Sequence, residues 1–368
     1  MFRGWFVCFC LAIFASGPLV AQQGAPAAQP STQLAPSDPV LVLRPAPGLA
    51  KNSLPMGRIQ LDVVVTDAAG KAVTGLEPSD FRLLDNGQPR KILSFRSFDG
   101  ITVKPDPPVA LYLVVDTVNN GLVELAYVRK GVEEFLRQNG GHLAEPTSII
   151  LFSASGLKVQ SRSSVDGNAL LDVLKSIQPS LRPRGEDPIQ VSVGALALIT
   201  NNLARQPGRK IVLWLGQGWQ THRRDASVFT ELDARLQAMN FAGLVSISEK
   251  LRQGQITLCG GYALRDFHYE EFLPGVKSAS QFDFPNLALE IFANHSGGSS
   301  ALASINRDRD LVDQINSYIA SANAYYQISF DPPPALHADE YHDIKLVMSN
   351  PALTAHTNTG YYNRPTLQ

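Results

Sequence analysis

Val109-Ala-Leu-Tyr-Leu-Val-Val115 is an almost unbroken apolar run, followed at once by Asp116-Thr-Val-Asn-Asn120. A strand with one face in water alternates apolar and polar residues, whereas a run this continuous suits a strand covered on both faces, as in a parallel sheet. Ser148 to Phe152 and Ile211 to Leu215 repeat the pattern, and Leu244 to Ser248 offers a fourth strand. Between them lie stretches with helical spacing. Val128, Val132, Phe135 and Leu136 mark one within Val123 to Asn139. Leu170, Leu171, Leu174 and Ile177 mark another behind Asp166, a side chain suited to cap a helix start. Ala195, Leu198 and Ile199 mark a third. Strands alternating with helices predict an α/β fold, a doubly wound, mostly parallel sheet with helices on both faces.

The flanks read differently. Ile59, Leu61, Val63 and Val65 alternate with more polar neighbours, the mark of a half-buried strand. Asp67-Ala-Ala-Gly70 and Asp85-Asn-Gly87 are turn signals, and Phe81, Leu83, Ile92 and Phe95 supply further strand positions. Leu287 to His295 reads as a helix stopped by Gly297-Gly298, and Leu311, Ile315, Tyr318 and Ile319 mark a last one. Ala324 to Phe330, Tyr341 to Met348 and Leu353 to Tyr361 read as three closing strands. Without crossover helices they cannot extend a parallel sheet, so they are expected to pair antiparallel with one another and with the strands of Ile59 to Phe98. The result is an accessory β-sandwich-like subdomain built from both ends of the chain. Alternation places one tyrosine of each pair, Tyr325-Tyr326 and Tyr361-Tyr362, inside and one outside. Leu251 to Pro285 lacks a clear period and reads as an insertion or long loop.

Arg3, the short apolar run Trp5 to Phe14 and the small residues up to Ala21 read as a secretory signal peptide cleaved around Ala21; the competing reading is a retained N-terminal anchor helix, for which the apolar run is short. Residues 22–55, rich in Ala, Gln, Pro and Ser, read as a disordered linker. The expected organisation is therefore signal peptide 1–21, linker 22–55, β subdomain 56–100 and 324–364, and α/β domain 105–323, in a secreted or periplasmic protein. Hydrophobic residues make up 44% of the 368 residues, enough for a sizeable core. A formal net charge of −1 gives no electrostatic reason to expect nucleic acid. Of the three cysteines only Cys259 lies beyond the signal-like segment, and it reads as a small buried hydrophobe.

Ligands of open α/β sheets bind outside the carboxyl ends of the strands. That rule selects Asp116, Thr117, Asn119 and Asn120 after the first buried strand and Gly216-Gln217-Gly218 after the third. Asp187, in the loop Ser180 to Val193, could reach the same edge. Catalytic signatures are thin. The sequence holds no Gly-x-Ser-x-Gly elbow, phosphate-binding loop or His-Glu-x-x-His helix. Ser153-Ala-Ser155-Gly156 has Phe152 where the first glycine of an elbow belongs. His337-Ala-Asp-Glu-Tyr-His342-Asp343 gathers two histidines and three carboxylates, a set that suits either a transition metal or a polar hairpin loop. Arg223-Arg224 is too short for a nucleic-acid patch.

Asp62 to Leu76, Asp80-Phe81 and Asp85-Asn-Gly-Gln-Pro89 are similar to the opening of the von Willebrand factor A-related domain of the Acidobacterial type. Leu113-Val-Val-Asp-Thr117 and Arg209 to Leu215 resemble its first and third core strands. His295-Ser-Gly-Gly298, Tyr325-Tyr326 and Gly360-Tyr-Tyr362 resemble its later landmarks. The resemblance spans about residues 57–364 and implies a protein-binding, adhesion-type module. The wider family often carries a metal-ion-dependent adhesion site in which Asp-x-Ser-x-Ser, a threonine and an aspartate from three loops hold magnesium. This sequence departs from that pattern. Asp116 matches the first aspartate, Val118 replaces the first serine and cannot ligate, Asn120 replaces the second, and Gly216-Gln217-Gly218 stands where the third-loop aspartate belongs. Asp187 or Ser192 could compensate from the second loop. The implied site is a degenerate one, with Asp116 capping the turn after its strand, no metal or other cofactor, and a protein partner. An exported metal-dependent hydrolase, using Asp116, Glu186 and Asp187 or the His337–Asp343 cluster, and a structural scaffold of an envelope complex are the alternatives.

Overall fold

The structure is a computed structural model that describes residues 57–160, 162–175, 188–216, 218–219, 231–260, 270–298 and 311–364. The signal-like segment, the linker, Glu186, Asp187, Gln217, Arg223 and Arg224 lie outside them.

The described residues open with four strands, β1 (Ile59–Thr66), β2 (Phe81–Asp85), β3 (Gln88–Arg90) and β4 (Ser94–Asp99). Asn86 and Gly87 turn β2 into β3 with φ of 49° and 77°, the backbone that Asn-Gly adopts most readily in a tight hairpin. The α/β part follows with β5 (Ala110–Asp116), α1 (Leu122–Arg137), β6 (His142–Ser153), β7 (Gly156–Val159), β8 (Ser164–Asp166), α2 (Gly167–Lys175), α3 (Pro188–Leu203), β9 (Lys210–Leu215), α4 (Glu231–Gln253), β10 (Ile256–Gly260), α5 (Leu289–His295) and α6 (Leu311–Ala322). Asp166 starts α2 as expected, its Oδ1 accepting the N–H of Asn168 at 2.9 Å. Four strands close the chain, β11 (Ala324–Phe330), β12 (Glu340–Met348), β13 (Thr354–His356) and β14 (Gly360–Asn363).

Strands β10, β9, β5 and β6 lie side by side in that order and run parallel; β7 and β8 add antiparallel to β6. The odd-numbered residues of β5, Leu111, Leu113 and Val115, pack with α1, α2 and α6. The even-numbered Tyr112 and Val114 pack with α3, α4 and α5. The period of two along β5 thus serves two separate cores, which is why the run could not alternate in hydropathy.

The remaining strands form two four-stranded sheets, β13-β1-β11-β4 and β14-β12-β2-β3. Both are built from the two ends of the chain, with Ile59 of β1 opposite Phe330 of β11 and Leu83 of β2 opposite Leu346 of β12. They share one apolar cluster that includes Leu61, Val63, Phe81, Leu83, Ile328, Phe330 and Ile344.

Three expectations are corrected. Leu244 to Ser248 is not a strand but part of α4, where Phe241, Leu244, Val245 and Leu251 are buried at helical spacing. A short apolar run containing Val and Ile does not by itself distinguish the two periods. The fourth parallel strand is β10, inside the segment read as a loop. Leu353 to Tyr361 is not one strand, because β13 pairs with β1 while β14 pairs with β12. All four tyrosines of the two pairs are buried. Tyr326 and Tyr361 lie in the core shared by the two sheets, Tyr362 in the core of α3, α4 and α5, and Tyr325 stacks on Phe98 with ring centroids 4.7 Å apart. Alternation assumed one wet face, and these strands are covered on both.

Candidate functional site

From β5 the chain passes to β6 on one side and later to β9 on the other. The switch point at the carboxyl ends of β5 and β9 is where an open α/β sheet offers its ligand crevice. Asp116 ends β5 there and Gly216 follows β9.

Asp116 is 1% exposed. Its Oδ1 accepts the backbone N–H groups of Val118 and Asn119, each at 2.9 Å. Its Oδ2 accepts Asn119 Nδ2 at 2.7 Å and the indole Nε1 of Trp214 at 2.9 Å. A carboxylate offers about four lone-pair sites, and four N–H donors occupy them. Burial pushes the Asp116 carboxyl above its ordinary range, while the bonds from Asn119, Trp214 and Val118 pull it back.

The neighbours extend this bracing. Asn119 Nδ2 also donates to Ser192 Oγ at 2.9 Å, and Ser192 Oγ donates to the carbonyl of Pro188 at 2.8 Å, tying the loop to the first turn of α3. Thr117 Oγ1 donates to the carbonyl of Phe152 on β6 at 2.9 Å. Asn120 Nδ2 donates to the carbonyls of Asp116 and Leu215, at 2.7 and 3.1 Å. The Asn120 amide therefore bridges the ends of β5 and β9 and fills the crevice between them. A Cβ on Gly216 would lie 2.9 Å from that amide, so glycine is the residue that admits it.

This donor set does not fit a hard cation. Magnesium requires oxygen lone pairs in a near-octahedral shell. At Asp116 those lone pairs are filled, and Val118 is buried and aliphatic. Ser192 reaches Asn119 rather than standing open as a ligand. Of the sequence candidates, Asp116, Thr117, Asn119 and Asn120 come together at one edge.

Beside this edge, Glu290 in the first turn of α5 is 9% exposed and burial pushes its carboxyl up to about 6. A Cβ on Gly218 would lie 2.5 Å from Glu290 Oε1, so the loop after β9 can pass here only as glycine. Trp219 packs edge-on against Trp214, with centroids 5.1 Å apart, and walls this end of the core. At the far end of α5, His295 is 6% exposed, and burial lowers it to about 4 against the pull of its bond to the Leu273 carbonyl at 3.3 Å.

Within the His337–Asp343 cluster His342 Nε2 and Glu340 Oε1 approach to 3.6 Å, and the two histidines part company. His337 is exposed, whereas His342 points inward from β12 and shares a hydrogen bond of 2.8 Å with Asp85. Tyr361 donates to the other Asp85 oxygen at 2.9 Å, and the rings of His342 and Tyr361 stack. The set is a buried polar tie between β2, β12 and β14. Ser153 to Gly156 is the tight turn between β6 and β7.

Sequence reasoning missed two features of the edge. Trp214 was read only as a core strand residue, and its partnership with Asp116 follows from the β5–β9 register, Val114 opposite Trp214. Leu122 and Val123, which follow Asn120 after the single residue Gly121, are 71% and 79% exposed. Their apolar character was visible, but the helical phase that turns them outward was not.

No family model matches this chain, and no curated protein sequence matches it. Among solved structures, proximal thread matrix protein 1 from the mussel byssus is 13% identical with a TM-score of 0.28, over 50% of this chain and 46% of that one. A variant of the PilB minor pilin from Streptococcus sanguinis is 12% identical with a TM-score of 0.29, over 74% and 80%. The pilus adhesin SpaC from Lactobacillus rhamnosus GG is 11% identical with a TM-score of 0.33, over 78% and 48%. The chain thus spans less than half of the mussel protein and of the adhesin, and overlaps of this quality assign neither fold family nor activity. The structure of the described residues is mixed α/β, with one mostly parallel sheet and two antiparallel sheets. Among the described residues, no helix is long and apolar enough to cross a membrane.

Proposed function

We propose that this chain is an exported, non-catalytic protein-binding module of von Willebrand factor A-like architecture. In this reading the α/β domain, residues 105–323, is braced by a β-sandwich-like subdomain made of 56–100 and 324–364. The partner is a protein, met without metal or cofactor at the edge formed by Asp116, Thr117, Asn119 and Asn120, and Asp187 and Gln217 are proposed as further contacts.

The observation that carries the proposal is the pairing of a locked crevice with an exposed apolar step. The carboxylate that would do chemistry is saturated, and the crevice that would hold a small molecule is filled by Asn120. Directly beside them Leu122 and Val123 stand in water on the first turn of a helix. Scattered exposed aliphatics are common. Two adjacent ones at the switch point of a sheet, on the first turn of a helix that follows a loop braced by its own hydrogen bonds, suit a docking surface.

Photo-crosslinking tests this. A photoreactive residue at position 122 or 123, in cells that make the protein, is expected to give one discrete adduct. The same residue at Lys130, exposed on the far part of α1, is expected to give none. The double variant Leu122→Asp, Val123→Asp should compete poorly against the adduct. Equal labelling from position 130, or no adduct from the edge, would contradict the proposal.

A further inference from the structure

A cleft of about 1110 Å³ lies at the opposite end of the parallel sheet, between the outer face of sheet β13-β1-β11-β4 and the segments that lead into β5, β9 and β10. It is larger than the pockets that usually enclose a small molecule. The six residues of β9 separate it from the Asp116 edge, a distance of roughly 20 Å. Seven basic and two acidic side chains line it, in a chain whose 32 basic and 33 acidic residues otherwise nearly cancel.

Four of the seven are engaged by the protein itself. Arg58 pairs with Asp331, Arg364 with Asp339, and Arg252 with Glu249. Arg209 is buried, donates to the Ala322 carbonyl at 2.6 Å and lies 4.5 Å over the Tyr325 ring. The other three, Arg96, Arg205 and Lys250, have no acidic partner among the described residues, and Arg96 and Arg205 are exposed. They come from β4, from the segment between α3 and β9, and from the last turn of α4, so the fold gathers charges that the sequence scatters.

We propose that this cleft binds an acidic, extended peptide segment of a partner protein, with Arg96, Arg205 and Lys250 as its carboxylate-reading groups. Charge complementarity supplies the sign of the ligand. The aromatic geometry selects its kind. Phe98 and Tyr325 are stacked on each other, Arg96 lies 5.0 Å over Phe98, and Arg209 covers Tyr325. The ring faces are taken, which removes the stacking platform on which single-stranded nucleic acid depends. β4 contributes Ser94, Arg96 and Phe98 to the wall and is the end strand of its sheet, so an extended chain has a strand edge to lie along.

Fluorescence anisotropy with the full 368-residue chain and a fluorescein-labelled hexaglutamate peptide tests the proposal. Saturable binding that weakens as ionic strength rises is expected. The variant Arg96→Gln, Arg205→Gln, Lys250→Gln should bind at least about tenfold more weakly while melting at the parent temperature. Leu122→Asp should bind the peptide as the parent does, which separates this cleft from the docking edge. Absence of hexaglutamate binding, or unchanged affinity in the triple variant, would overturn the proposal. Tighter binding of oligothymidylate or of phosphatidylglycerol vesicles than of hexaglutamate would overturn the assignment to a peptide.

Discussion

Asp116→Ala is expected to lower the unfolding free energy by roughly 4 kcal/mol in the absence of any metal. The substitution leaves the N–H groups of Val118 and Asn119, the Asn119 amide and the Trp214 indole without their acceptor. Each buried donor left unsatisfied costs about 1–3 kcal/mol, and relief from desolvating the carboxylate offsets part of the sum. The cost would appear as a lower urea midpoint at an unchanged slope. The sign is diagnostic. A buried carboxylate held ready for a cation but otherwise unsupported is a liability to the metal-free protein, and its removal would leave stability unchanged or raise it. A stable Asp116→Ala protein would therefore refute the structural role assigned to Asp116.

The second large effect is a pH dependence centred on His295. Burial holds its folded-state pKa at about 4, below the unfolded value of 6.5. The folded protein thus binds fewer protons than the unfolded chain across this window, and the contribution of His295 is complete above pH 6.5 and is lost as pH falls toward 4. A shift of this size corresponds to about 3 kcal/mol. Glu290 works the other way. Its folded-state pKa of about 6 lies above the ordinary 4.5, so its penalty is present above pH 6 and is relieved as pH falls to 4.5, an effect of about 2 kcal/mol. In the parent protein the two slopes oppose each other, and that of His295 is the larger. His295→Gln, whatever its fixed packing cost, should close its stability gap to the parent by about 3 kcal/mol between pH 7.5 and pH 4. Glu290→Gln should be more stable than the parent at pH 7.5 and equal to it at pH 4.5. Urea titrations across this range read both, and parallel curves for parent and variants would show that neither group titrates as its burial requires.

The fold was legible wherever one residue pattern had one physical solution. The run Val109 to Val115 could only be a strand covered on both faces, and the turn at Asp85-Asn-Gly87 could only be tight. It was less legible where tertiary packing chose between two solutions. Leu244-Val-Ser-Ile-Ser248 fits a strand as well as a helix, and 23 residues of continuous α4 decided for the helix. Alternation allots one tyrosine of each pair to the outside, yet both of each pair are buried: Tyr325 lies against Phe98 and under the Arg209 guanidinium, and Tyr362 sits in the core of α3, α4 and α5, which alternation within a strand does not reveal. The edge itself was readable from the rule for open sheets, which selected Asp116, Thr117, Asn119 and Asn120. What those residues do was not readable. The saturation of Asp116 depends on Trp214, 98 positions away, and the basic cleft depends on residues as distant as Arg96 and Lys250. No local pattern records either.

The edge at Asp116 is braced by its own hydrogen bonds, and in the proposed function it works without a metal. Titrating magnesium, calcium and manganese into the protein while following Tm tests this most directly, because a ligand that binds only the folded state must raise Tm with the logarithm of its free concentration. The account requires a flat response to all three ions. A saturable rise with any of them, abolished by Asp116→Asn, would show that the carboxylate opens to a cation and would contradict it.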